Sequence, residues 1–141
     1  MESKFLYPSL KCSLLVERYM FLKSDIINEN LNDKFVPNRT TGIVFHFKSP
    51  AFLIEKHKRE VLPSFFVVAP TMEHLKLEMN SPFDTMVILC NASTFSRLFN
   101  IEFSKFPKSH YKINHLFNGF PIRDFLAESE SFEERVKLFE S

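Results

Sequence analysis

Residues 83–90 read Phe-Asp-Thr-Met-Val-Ile-Leu-Cys, a nearly unbroken apolar and β-branched run. A strand with one wet face alternates apolar and polar residues, so a run this continuous predicts a strand covered on both faces. Directly behind it, Asn91 and Ser93 offer helix N-caps, and Phe95, Leu98 and Phe99 recur at helical spacing. A buried strand that runs straight into a short helix needs material on both of its sides. The rest of the chain has to supply it.

The chain has the size for one domain, at 141 residues, and it carries 18 phenylalanines, no tryptophan and only two glycines. So many rings fit a wide β core with helices packed against it. With Gly42 and Gly119 alone, no glycine-rich loop can bring backbone N–H groups around a phosphate, and nucleotide-binding signatures are absent. Lysine and arginine total 18 against 17 acidic residues, which leaves no electrostatic footprint for nucleic acid. Cys12 and Cys90 have neither metal-type nor redox-type spacing. Cys90 ends the predicted core strand, where a free thiol behaves as a small hydrophobe. No run has the length of a signal-peptide core or a membrane span, so the expected location is the reducing cytoplasm, with no membrane partner.

Taken in order, residues 1–9 read as extended and 13–23 as β-rich, followed by a polar loop over 24–34. Residues 42–48 form the second strong strand, with Ile43, Phe45 and Phe47 on one face. A short strand over 51–55, a basic turn at Lys56-His57-Lys58-Arg59 and a returning strand over 61–68 with Pro63 at an edge or bulge come next. Residues 74–79 alternate, with Leu75, Leu77 and Met79 inward. Six or seven short strands at this rhythm fit a sandwich, barrel or jelly roll. After Cys90 the period becomes helical. Helices are expected over 92–99 and 112–118, from Pro121 with Ile122, Phe125 and Leu126 on one face, and from the capping box Ser131-Phe132-Glu133-Glu134 onward. The expectation is one structural domain: residues 1–90 as a β-barrel and 91–141 as C-terminal helices packing on it.

No catalytic motif stands out. His46, His57, His74, His110 and His115 are scattered singly without a His-x-His pair, so neither a metal nor a cofactor is expected. Ser93 lacks the Gly-x-Ser-x-Gly elbow, Cys90 has no basic neighbour, and Glu73, Glu78 and Asp84 on alternating strands are expected to face water. A barrel mouth could hold one small guest, with apolar walls from Phe45, Phe47 and Val87 and orienting groups from Tyr19, Arg39 and His46. The same phenylalanines could instead fill the interior. On the last helix, Phe132, Val136 and Phe139 form a stripe that either packs on its own domain or meets a second subunit.

Four stretches carry a family resemblance: Phe5-Leu6-Tyr7-Pro8-Ser9 through Tyr19; Val36-Pro37-Asn38-Arg39 before Gly42-Ile43-Val44-Phe45-His46-Phe47; Val87 to Cys90 with Phe95-Ser96-Arg97-Leu98-Phe99; and residues 131–140. Together they resemble the cupin-like sensor and dimerisation domain of AraC/XylS (arabinose-regulator-type) transcription regulators. The resemblance implies a cupin-like jelly-roll barrel followed by a short helical segment, a small-molecule effector and a homodimer. DNA would be contacted only through a C-terminal helix-turn-helix half that these residues do not include. An enzyme of the same barrel type, an isomerase or lyase working in the interior, is the alternative expectation.

Overall fold

A computed structural model describes residues 2–25, 30–33, 40–55, 58–68, 77–80, 82–102, 110–111, 121–129 and 131–141. Ten strands and three α-helices lie among them: β1 (Glu2–Leu6), β2 (Val16–Ser24), β3 (Asn30–Asp33), β4 (Thr40–His46), β5 (Ala51–Glu55), β6 (Lys58–Val61), β7 (Phe65–Val68), β8 (Leu77–Asn80), β9 (Phe83–Asn91), α1 (Ala92–Phe99), β10 (His110–Tyr111), α2 (Ile122–Leu126) and α3 (Phe132–Glu140). The chain is mainly β with a few short helices, as its alternating and β-branched segments predict.

β9 is the axis of the molecule. Every residue from Phe83 to Cys90 is buried. It pairs antiparallel with β2 on one side and β4 on the other, inside a six-stranded sheet ordered β1-β2-β9-β4-β7-β10. A second sheet of four strands runs β3-β8-β5-β6. Met86 lies across from Phe21 and Phe45, whereas its neighbour Val87 lies across from Met20 and Val44. Because side chains alternate across a pleated strand, each such set shares one face.

Two cores result. Between the sheets lie Met20, Leu22, Val44, Phe66, Val68, Phe83, Val87 and Leu89 of the large sheet against Ala51, Leu53 and Met79 of the small one. On the other face, Tyr19, Phe21, Ile43, Phe45, Met86, Ile88 and Cys90 meet Phe95, Ile122 and Leu126 of the helices. The order is small sheet, large sheet, helices. Burial of this kind is worth roughly 25 cal/mol per Å² of apolar surface, so covering both faces is what makes the large sheet's apolar content stabilising.

The expected barrel does not form: both sheets are open. The expected single strand over 61–68 is two strands, because the chain leaves the small sheet after Val61 and enters the large one at Phe65. Pro63 sits in that crossing, where a residue without an N–H does least harm to a ladder. Lys58 and Arg59 belong to β6 rather than to a turn. After α1 the chain returns to the sheet, where His110 and Tyr111 pair with Val68 and Val67, so residues 91–141 are not helical throughout. The helix expected over 112–118 lies outside the described residues.

Local signals placed the helices well. Asn91 accepts a hydrogen bond from the Thr94 N–H at 3.0 Å and caps α1. Asn100 ends that helix in the left-handed region (φ 53°), which asparagine tolerates better than most residues. Ser131 caps α3 by accepting from the Glu134 N–H at 3.2 Å. Pro121 occupies the N-cap of α2 rather than its first turn, with Ile122 and Leu126 buried as the spacing predicts.

Candidate functional site

The polar centre of the molecule is where α3 meets the large sheet. α3 carries Phe132, Arg135, Val136, Phe139 and Glu140 at helical spacing along one face. Phe132 stacks on Phe21 of β2 at 4.6 Å between ring centroids, and Phe139 meets the edge of Tyr19 at 6.1 Å. Val136 packs half-buried in the same cluster.

Arg135 interrupts this apolar stripe, and it is only 1% exposed. Its Nη1 and Nη2 donate to Asp84 Oδ1 and Oδ2 at 2.7 and 2.9 Å, a bidentate pair with a carboxylate that is 2% exposed. Nε donates to the Ser129 carbonyl at 2.7 Å, and the guanidinium plane lies 4.1 Å from the Phe47 ring. The planar fork matches a carboxylate edge, and the aromatic face receives the cation, so the charge is compensated on several sides. Asp84 therefore does not face water, in contrast with the expectation. It lies on the helix side of β9 because its neighbours Met86 and Ile88, two and four residues on, lie there too.

The two ends of α3 are also tied to the sheet. Lys4 of β1 pairs with Glu133. Tyr19 Oη donates to Glu140 Oε2 at 2.7 Å, and the Ser9 N–H donates to the same oxygen at 3.2 Å. Burial and the adjacent carboxylate push the Tyr19 phenol well above its ordinary range. For Glu140, burial opposes ionisation, but the hydrogen bonds from Tyr19 and Ser9 outweigh it and hold the carboxyl below its usual value.

A second polar group lies on the opposite side of the sheet. His46 is fully buried between the sheets, with Nδ1 2.9 Å from Thr85 Oγ1 and the ring 5.7 Å from that of Phe66. Thr85 Oγ1 also lies 3.3 Å from Met79 Sδ, so the imidazole, the hydroxyl and the thioether form one buried polar group. Among the described residues no hydrogen-bond partner reaches Nε2. Burial, reinforced by Arg123, pushes the His46 pKa down to about 4. Arg123 Nε holds the His46 carbonyl at 2.8 Å, which fastens α2 to the end of β4.

The residues expected around a guest are divided rather than convergent. Tyr19, Phe45 and Phe47 belong to the helix-side core, with Phe45 and Phe47 stacked at 6.4 Å. His46 and Val87 point between the sheets, and Arg39 lies outside the described residues. Phe132, Val136 and Phe139 all rest on their own sheet. An open cavity of about 370 Å³ lies on the β5–β6 hairpin, lined by Leu53, Lys58, Arg59 and Glu60, and none of the expected residues that the structure describes lines it. Arg59 there pairs with Glu78 at 2.7 Å and stacks on Phe52 at 3.8 Å. Burial pushes the Cys90 thiol up to about 12, in keeping with a packing role. Among the described residues no group of three or more potential metal ligands occurs, and no helix is long and apolar enough to cross a membrane.

Sequence reasoning missed Asp84 and Arg135. A single carboxylate inside a run predicted to be covered on both faces requires a buried cation, and an arginine three residues into an apolar helical stripe is the complementary sign. Comparisons with protein-family models, with characterised proteins and with solved structures find no match.

Proposed function

We propose that this chain is the sensing and dimerising module of a transcription regulator, in which α3 carries the state of the β-sandwich onward to a DNA-binding unit. One observation carries this reading: α3 is registered on the large sheet by the buried Arg135–Asp84 pair and not by apolar contact alone. Apolar packing tolerates sliding by a turn, whereas a bidentate ion pair in a dry layer is satisfied in one position only. A helix held in this way can report small displacements of β9 and β2 as an all-or-none change of seat. Typical couplings in such devices are about 1–3 kcal/mol, within reach of one altered buried hydrogen bond. The resemblance of four stretches to AraC/XylS sensor domains supports the same assignment. The effector is a small molecule whose binding shifts the balance between seated and released α3.

The test joins α3 at its C-terminal end to a DNA-binding unit that occupies its operator only when paired. The expected result is operator occupancy above that of the unit alone, altered by Asp84→Asn. Occupancy no better than the isolated unit, with the module folded by circular dichroism, removes the proposal.

A further inference from the structure

β1 forms one edge of the six-stranded sheet, and Glu2, Ser3, Lys4 and Phe5 are exposed along it. Exposed strand edges template pairing with another chain unless something blunts them. Phe5 of this strand is 47% exposed, and the connection that follows it toward β2 exposes Tyr7, Leu10 and Leu14. We infer that a second copy of this chain adds to the β1 edge antiparallel, with Ser3 facing Ser3 across a two-fold axis normal to the sheet.

The register follows from charge and from Pro8. In a two-fold antiparallel pairing the contacts are reciprocal, so one residue of β1 lies opposite its own copy. Centring on Lys4 sets like charges directly across from each other, which is destabilising. Centring on Phe5 places Pro8 opposite Glu2 at each end of the ladder, where the imino acid has no N–H to give. Centring on Ser3 sets Glu2 of one protomer opposite Lys4 of its partner, twice. Glu2 and Lys4 share the helix face of β1, since Lys4 lies across from Phe21 on β2 and pairs with Glu133 of α3. The partner's Glu2 thus arrives beside a lysine already docked on α3, and the dimer interface becomes continuous with the seat of that helix. A normal two-fold axis keeps both helix layers on the same side of the extended sheet, so two α3 helices emerge on one face. The ladder is short, so the association is expected to be weak.

This inference rests on the dimerising part of the reading above, and the test separates the two. Sedimentation of the intact chain is expected to show a reversible dimer. Glu2→Lys or Lys4→Glu places like charges across the axis and is expected to weaken the dimer at least about tenfold, while the double swap Glu2→Lys/Lys4→Glu restores it to within about threefold. Rescue by the double swap also excludes an indirect effect through the Lys4–Glu133 contact, which both Lys4 variants lose. With Cys12→Ser as background, Ser3→Cys is expected to give a disulfide-linked dimer under mild oxidation and Phe5→Cys is not. A chain that stays monomeric at about 1 mM, far above ordinary working concentrations, overturns both the inference and the dimerising role. A dimer indifferent to the swaps, or cross-linked through residue 5 in preference to residue 3, overturns the inference alone.

Discussion

Asp84 and Arg135 are each worth little apart and much together. Removing one partner leaves a bare charge in a dry layer, so Asp84→Asn is expected to lower the unfolding free energy by about 3–5 kcal/mol. Replacing both, as in Asp84→Leu with Arg135→Met, is expected to be neutral or stabilising by about 1–4 kcal/mol, because the desolvation of two ions disappears with them. Urea unfolding midpoints of the three proteins decide this, and equal losses in single and double variants would show that the pair acts as bulk rather than as charge. His46 makes a separate claim. Its native pKa is lowered to about 4, so between pH 4 and the ordinary value near 6.5 the unfolded chain binds the proton and the native chain does not. Stability therefore rises with pH through that window and is lost as pH falls. Between pH 6.5 and 5 the loss is expected to reach roughly 2 kcal/mol, at about 1.4 kcal/mol per pKa unit. The carboxyl groups of Asp25, Glu133 and Glu140 are also lowered, but they act at lower pH, below their ordinary range. His46→Gln is expected to flatten the profile above pH 5, measured as urea midpoint against pH.

At the level of elements, the most legible parts were those whose signals are local. The run Phe83–Cys90 announced a strand buried on both faces, and Asn91 and Ser131 announced the helix starts they cap. What stayed hidden depends on distant partners. β10 is two residues long and owes its existence to Val67 and Val68, so no periodicity could show it. The change of sheet between β6 and β7 was half visible in Pro63, but the run of apolar residues on either side disguised it. For the candidate site, the positions on α3 are readable in the sequence and their chemistry is not: Phe132, Val136 and Phe139 stand out, while Arg135 does not, because a charge on a short helix usually meets water. Since Phe132 stacks on Phe21, Phe132→Asp is expected to unseat α3 and cost about 2 kcal/mol or more. Ser131→Ala is expected to cost about 1 kcal/mol through the lost cap. Hydrogen exchange along 132–140 reads both, with α3 amides opening before those of β9 in the first and the whole helix only mildly faster in the second.

Across the whole molecule, the decisive feature is that one sheet has two cores. A sheet covered on one side only would bury one face of β9 and leave the other to solvent, so adjacent positions would differ in sensitivity. Here Met86 lies in the helix-side core and Leu89 between the sheets, both essentially inaccessible. Met86→Ala and Leu89→Ala are each expected to cost about 2–5 kcal/mol, because each leaves a cavity in a close-packed layer. They sit three residues apart along the strand, about 10 Å at 3.3 Å per residue, and on opposite faces. Their effects are therefore expected to add within about 0.5 kcal/mol, as for sites that share no packing partner. Chemical denaturation of the two single variants and the double variant closes the cycle. A marked shortfall from additivity would mean that the cores communicate through β9 itself. In that case a ligand or partner acting on either side of the sheet would be felt on the other, and the strand would be the relay that α3 reads.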